Sequence, residues 1–89
     1  MTLSNNQLAG EIPVEIGQLT NLTSLLLKNN QLIGKIPSEI GNLNNLTSLH
    51  LSDNQLTGEI PQAVCDLIES NPLNMDWILD ENNLTNTCE

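Results

Sequence analysis

The sequence has no Tyr, no Phe and a single Trp, Trp77. A core that fills irregular space ordinarily uses several large rings, so an ordinary mixed globular core is not expected here. Basic residues are almost as scarce: Lys28 and Lys35 stand against eleven acidic residues, for a net charge of −9. That balance excludes a nucleic-acid binder, which needs a basic footprint, and disfavours anionic membrane surfaces. No apolar run approaches the roughly 18 residues that a bilayer span requires. The opening MTLSNNQLAGEIP offers neither a charged n-region nor an apolar h-region, so no signal peptide is read in this chain. There are only two cysteines, Cys65 and Cys88, without accompanying ligands, which is not the pattern of a zinc site. No cofactor is expected. At 89 residues the chain makes one domain at most, marginally stable unless stapled or oligomeric.

What the sequence does contain is Leu and Ile, seventeen and eight of them, arranged periodically. NNQLAGEIPVEIG at Asn5 returns as NNQLIGKIPSEIG at Asn29 and as DNQLTGEIPQAVC at Asp53, with a period of 24 residues. Residues 5–27 and 29–51 are identical at seventeen positions. Repeats of this length stack as layers of a solenoid, each covering its neighbour's aliphatic face. Leu25 and Leu27, then Leu49 and Leu51, alternate with polar residues, the two-residue period of a short strand with one buried side. Asn6, Asn30 and Asn54 follow the strand, where an inward amide can pair with the backbone of adjacent bends. Gly10, Gly34 and Gly58 permit a positive φ at the reversal. Pro13, Pro37 and Pro61 open a short helical or 3₁₀ segment, with Ile16, Ile40 and Val64 pointing inward and Gly17 and Gly41 ending it.

The unit LxGxIPxxIGxL resembles the plant-type subclass of leucine-rich repeats, over roughly residues 1–67. The resemblance implies an α/β solenoid of about four turns. Parallel β-strands would line the concave face, with short helical, 3₁₀ or extended segments on the convex side. Ligands would be recognised by concave side chains. Residues 68–89 form an irregular last repeat read as a cap, with Trp77 and Leu79 aligned to Leu49 and Leu51, Asn82 to Asn54, and Trp77 a lid over the stack. Its spacing is 28 residues, so about four are inserted near Glu69–Pro72. On this unit Cys65 takes the place of Gly41 and Cys88 that of Ile60, on adjacent turns. A Cys65–Cys88 disulfide is expected, with two buried free thiols as the alternative.

Alternation places Thr2, Ser4 and Asn5, then Ser24, Leu26, Lys28 and Asn29, on the concave surface. Ser48, His50, Ser52 and Asp53 follow, and then Asp76, Ile78, Asp80 and Glu81. At about 4.8 Å per strand this strip is about 15 Å tall. It grades from neutral to acidic, so a peptide or protein partner of cationic character is expected. Two alternatives stay open: a divalent-cation site at Asp53, Asp80 and Glu81, with or without His50, or a solvated face that keeps the stack soluble. His50 has no nucleophile and orienting group beside it, and Asp80/Glu81 would point to opposite sides of a strand, so no enzyme is expected. Met1 and Leu3 fall where Leu25 and Leu27 fall one unit later, leaving an uncovered aliphatic layer. A homodimer through that N-terminal end is expected, or in the extreme a self-assembling scaffold. Asn21, Asn45 and Asn83 head N-x-T sequons and are candidate glycosylation sites. The localisation is extracellular or lumenal if the cysteines pair, and cytoplasmic otherwise.

Overall fold

The computed structural model describes residues 1–88. Its Cα radius of gyration is 11.5 Å and its extents are 29 × 27 × 20 Å. Each 24-residue unit contributes the same three pieces. A short strand on one side is followed by a second strand across a bend, and then by a helical segment that leads back.

The first kind of strand is β2 (Ser24–Leu26) and β4 (Ser48–His50), paired in parallel with Leu25 opposite Leu49. Thr2 extends this sheet through an isolated bridge to Leu26. The alternation is that of a half-buried strand: Leu25, Leu27, Leu49 and Leu51 lie in the core, while Leu26 and His50 remain partly exposed.

The second kind was read in the sequence only as a reversal, and it builds the larger sheet. Strands β1 (Ala9–Glu11), β3 (Gln31–Gly34), β5 (Gln55–Glu59) and β6 (Asn83–Thr85) pair in that order, all parallel. The signal is weak because each of the first three strands carries a glycine at positive φ: Gly10 at 86°, Gly34 at 78° and Gly58 at 86°. Leu32 and Leu56 are the buried members of this sheet, in one core cluster with Leu25 and Leu49.

The bend between the two strands is held by the recurring asparagines. Asn54 Nδ2 donates to the Leu51 and Leu27 carbonyls at 3.0 Å each, and its Oδ1 accepts from the Leu32 N–H at 3.1 Å. Asn30 repeats this one layer down with Leu27, Leu3 and Leu8, and Asn82 one layer up with Leu51, Ile78 and Leu56. One amide thus satisfies backbone groups of two layers, which keeps a buried bend from costing unpaired hydrogen bonds. Among the described residues no buried side-chain polar atom lacks a partner.

The return segments are the 3₁₀ helices Val14–Gln18 and Ser38–Asn42, and then the α-helix α1 (Gln62–Ser70), each opening behind a proline. Gly17 and Gly41 lie inside these 3₁₀ turns and do not end them, contrary to the sequence reading. Their role is clearance. A Cβ at Gly17 would meet the Cβ and carbonyl oxygen of Glu39 at 2.7 Å, and one at Gly41 would meet the Ala63 Cβ at 2.7 Å and its oxygen at 2.8 Å. Glycine lets successive return segments stack at backbone contact. In the next layer the equivalent residue is Cys65, bonded to Cys88 with Cα atoms 5.4 Å apart. That bond ties the strand after Asn82 to α1.

Candidate binding surface

The concave face is a column of side chains one per layer, and the last layer decides its character. The backbone bond from Leu51 N–H to the Trp77 carbonyl (2.8 Å) repeats the one from Leu27 N–H to the His50 carbonyl (2.8 Å). Trp77 is therefore the counterpart of His50, not of Leu49. Further along, Asp53 N–H bonds to the Asp80 carbonyl as Asn29 N–H bonds to that of Ser52, both at 3.0 Å. The offset is thus 27 residues at Trp77 and 28 at Asp80, against 24 in the repeat. Three of the four extra residues precede Trp77, in α1 and the turn after it. The fourth lies between Trp77 and Asp80, where the chain forms one helical turn, α2 (Asp76–Leu79), instead of a strand.

This turn overturns two expectations, and the layer before it a third. Trp77 is not a lid over the core: it is 45% exposed and lies in the concave column with Thr2, Leu26 and His50. Ile78, expected on the concave face, is fully buried and takes the core position instead. Ser52, expected beside it, is buried as well. Helical spacing over Asp76–Leu79 replaces the strand alternation on which the Trp77 and Ile78 assignments rested.

The other concave residues lie on the surface or partly so. Ser24, Leu26, Ser48, His50 and Asp53 are half-buried, and Lys28, Asp76, Asp80 and Glu81 are exposed. The His50 and Trp77 rings meet edge to face, centroids 4.1 Å apart and planes at 61°. Partial burial, and secondarily the positive charge of Lys28, lower the His50 pKa below its ordinary value, which favours the neutral ring at pH 7. Asn5, Asn29, Asp53 and Glu81 occupy one phase of the repeat and share a left-handed φ of 55–62°. Asn and Asp tolerate that conformation, and a glutamate there is unusual. Asn29 Nδ2 also donates to Asn5 Oδ1 at 2.9 Å, the start of an amide ladder along the rim.

Among the described residues no three His, Cys, Asp or Glu side chains lie close enough to hold a metal ion. The expected cation alternative at Asp53, Asp80 and Glu81 therefore has no geometry behind it. A depression of about 740 Å³ lies away from the column, beside Lys35, Glu59, Gln62 and Thr87. A smaller apolar cleft of about 320 Å³ opens at the N-terminal face between Leu3, Leu8, Ile12 and Ile16. Asn21, Asn45 and Asn83 are all exposed. Asn45 Nδ2 already donates to the Thr20 carbonyl at 3.1 Å.

The Leucine Rich Repeat family matches residues 1–19, 21–43 and 45–67. The chain belongs to that family, in its plant-type form. Its repeats are similar to those of a plant peptide hormone receptor, RGFR1, solved in complex with RGF2, at 36% identity and a TM-score of 0.76. That match covers 97% of this chain and 12% of the receptor. They are similar also to the BIR2 ectodomain from Arabidopsis thaliana, at 45% identity and a TM-score of 0.71, over 74% of this chain and 35% of that one. A plant ice-binding protein matches at 41% identity and a TM-score of 0.81, over 93% of this chain and 26% of its own. This leucine-rich repeat chain thus spans between about an eighth and about a third of the solved structures it resembles. No curated protein matches it. No helix among the described residues is long and apolar enough to cross a membrane.

Proposed function

We propose that this leucine-rich repeat chain is a non-enzymatic interaction module. It takes a peptide or protein against its concave strands and favours cationic partners at the acidic end. The observation that carries the reading is the concave column Thr2–Leu26–His50–Trp77. It grows from polar to aromatic along the stack and ends among Asp53, Asp76, Asp80 and Glu81. The solved neighbours support it: one is a receptor bound to its peptide hormone, and another is the receptor kinase HAESA in complex with the peptide hormone IDA and the co-receptor SERK1. The ectodomain neighbour and the Cys65–Cys88 bond support an extracellular setting, with Asn21, Asn45 and Asn83 as glycan sites and residues 68–89 closing the C-terminal end of the stack.

The test is calorimetric binding of short basic, neutral and acidic peptides at low salt. Basic peptides should bind, with affinity falling as salt rises. Leu26→Lys on the concave sheet should weaken them about tenfold or more, while Thr57→Lys on the four-stranded sheet should not. Equal losses from the two variants, or no binding by any peptide, would refute the reading. If no peptide bound but the protein inhibited ice recrystallisation, the ice-binding neighbour would become the guide instead.

A second reading is self-association through the N-terminal face, which leaves Met1, Leu3 and Leu8 well exposed around the apolar cleft. Light scattering should then give twice the 9.7 kDa of one chain, and Leu3→Glu with Leu8→Glu should return the monomer. A monomeric wild type would end this reading without touching the first.

A further inference from the structure

The exposed indole does not close the core. Ile78, one residue further on, is fully buried and fills it. What the extra residue of α2 achieves is to place Trp77 in the outward column, with the His50 ring against it and nearly half of the residue in solvent. An exposed aromatic supported by a second ring, in the last layer of a recognition strip, has the form of an interface anchor. Its surroundings select the chemistry of the occupant. Asp76 immediately precedes the indole, and Asp80 and Glu81 follow just beyond the turn. Asp53 borders the preceding layer through its bond to the Asp80 carbonyl. The nearby cation, Lys28, belongs to the layer on the far side of His50.

Resting on the concave-face reading above, we infer that Trp77, braced by His50, is a specific subsite for a guanidinium side chain of the partner, an arginine in preference to a lysine. The indole's electron-rich face attracts a cation. A guanidinium adds planar stacking on the ring while its N–H groups reach flanking carboxylates in a fork. An ammonium can do only one of these well, because it is more strongly hydrated and has no planar face.

Trp77 is the chain's sole Trp and there is no Tyr, so intrinsic fluorescence reports on this site alone. The experiment titrates the protein with three peptides that differ only in one residue: arginine, lysine or citrulline, the neutral isostere of arginine. Emission and heat are followed in parallel. The arginine peptide should change Trp77 emission saturably and bind tightest, then lysine, then citrulline. Trp77→Leu, followed by calorimetry, should weaken the arginine peptide about tenfold and erase its advantage over citrulline. Trp77→Phe, a smaller ring, should keep part of that advantage. If the arginine peptide binds by calorimetry while emission stays unchanged and Trp77→Leu keeps full affinity, the subsite is refuted and the concave reading survives. If no peptide binds at all, both fall together.

Discussion

Gly41 and Ala63 are so close that a methyl group on the glycine would lie 2.7 Å from the alanine's Cβ. This contact, repeated between Gly17 and Glu39, sets the distance between adjacent return segments, and through it the spacing of every layer. The two glycines are not conformational exceptions, since positive φ among glycines belongs to Gly10, Gly34 and Gly58. They are places where backbone packs on backbone.

Gly41→Ala should therefore destabilise the fold by about 1–3 kcal/mol through overpacking. Gly10→Ala meets nothing within 4 Å and should cost only its left-handed backbone, about 1–2 kcal/mol. Urea denaturation midpoints compare them. If Gly41→Ala were neutral while Gly10→Ala was costly, the clearance account would be wrong.

Asn54→Ala removes an amide that serves four backbone groups in two layers. Three carbonyls and the Leu32 N–H would be left without it, so a loss of about 2–3 kcal/mol or more is expected. Asn6 is exposed and bonds only the Leu3 and Ser4 carbonyls, and its alanine variant should cost under about 1 kcal/mol. Hydrogen exchange at the Leu32 amide should rise in the first variant and not in the second.

Removing the disulfide with Cys65→Ser and Cys88→Ser should lower stability by about 3 kcal/mol, the chain-entropy value for a bridge across 23 residues. The loss should concentrate at the C-terminal end, since Cys88 anchors the segment after β6. Proteolysis mapping should show the first new cuts after Asn82. Cuts beginning near the N-terminus would contradict this.

His50 makes stability depend on pH. Its folded pKa is lowered, so the unfolded state binds the proton more readily as pH falls. The contribution is fully present above the ordinary histidine value near 6.5 and is lost as pH falls through the lower folded value. Wild type should lose more stability between pH 7.5 and pH 4.5 than His50→Gln does. An equal loss in both proteins would remove His50 from the account.

The middle of the molecule was legible because its physics repeats. Leu25 over Leu49, the inward Asn30 and Asn54, and the positive φ of Gly34 and Gly58 each follow from one residue type in one phase. The Cys65–Cys88 bond was legible too, because the phase of the repeat carried into the last turn. Two things were not visible. Strands β1, β3, β5 and β6 give no clean alternation, because a glycine interrupts each of the first three and the aliphatic face is a single leucine. The outward turn of Trp77 was hidden because one inserted residue changes strand spacing to helical spacing, and sequence alone does not say where in residues 68–80 that insertion falls. The most informative residue of the concave face was thereby read as core, and Ile78 as surface.

The concave account stands or falls on where a partner lands. Amide shift mapping by NMR with a bound arginine peptide tests this directly. Perturbations confined to Ser24–Leu26, Ser48–His50, the acidic rim and the Trp77 indole N–H are the predicted result. Perturbations centred on the four-stranded sheet or the N-terminal cleft, with the indole signal unmoved, would contradict it.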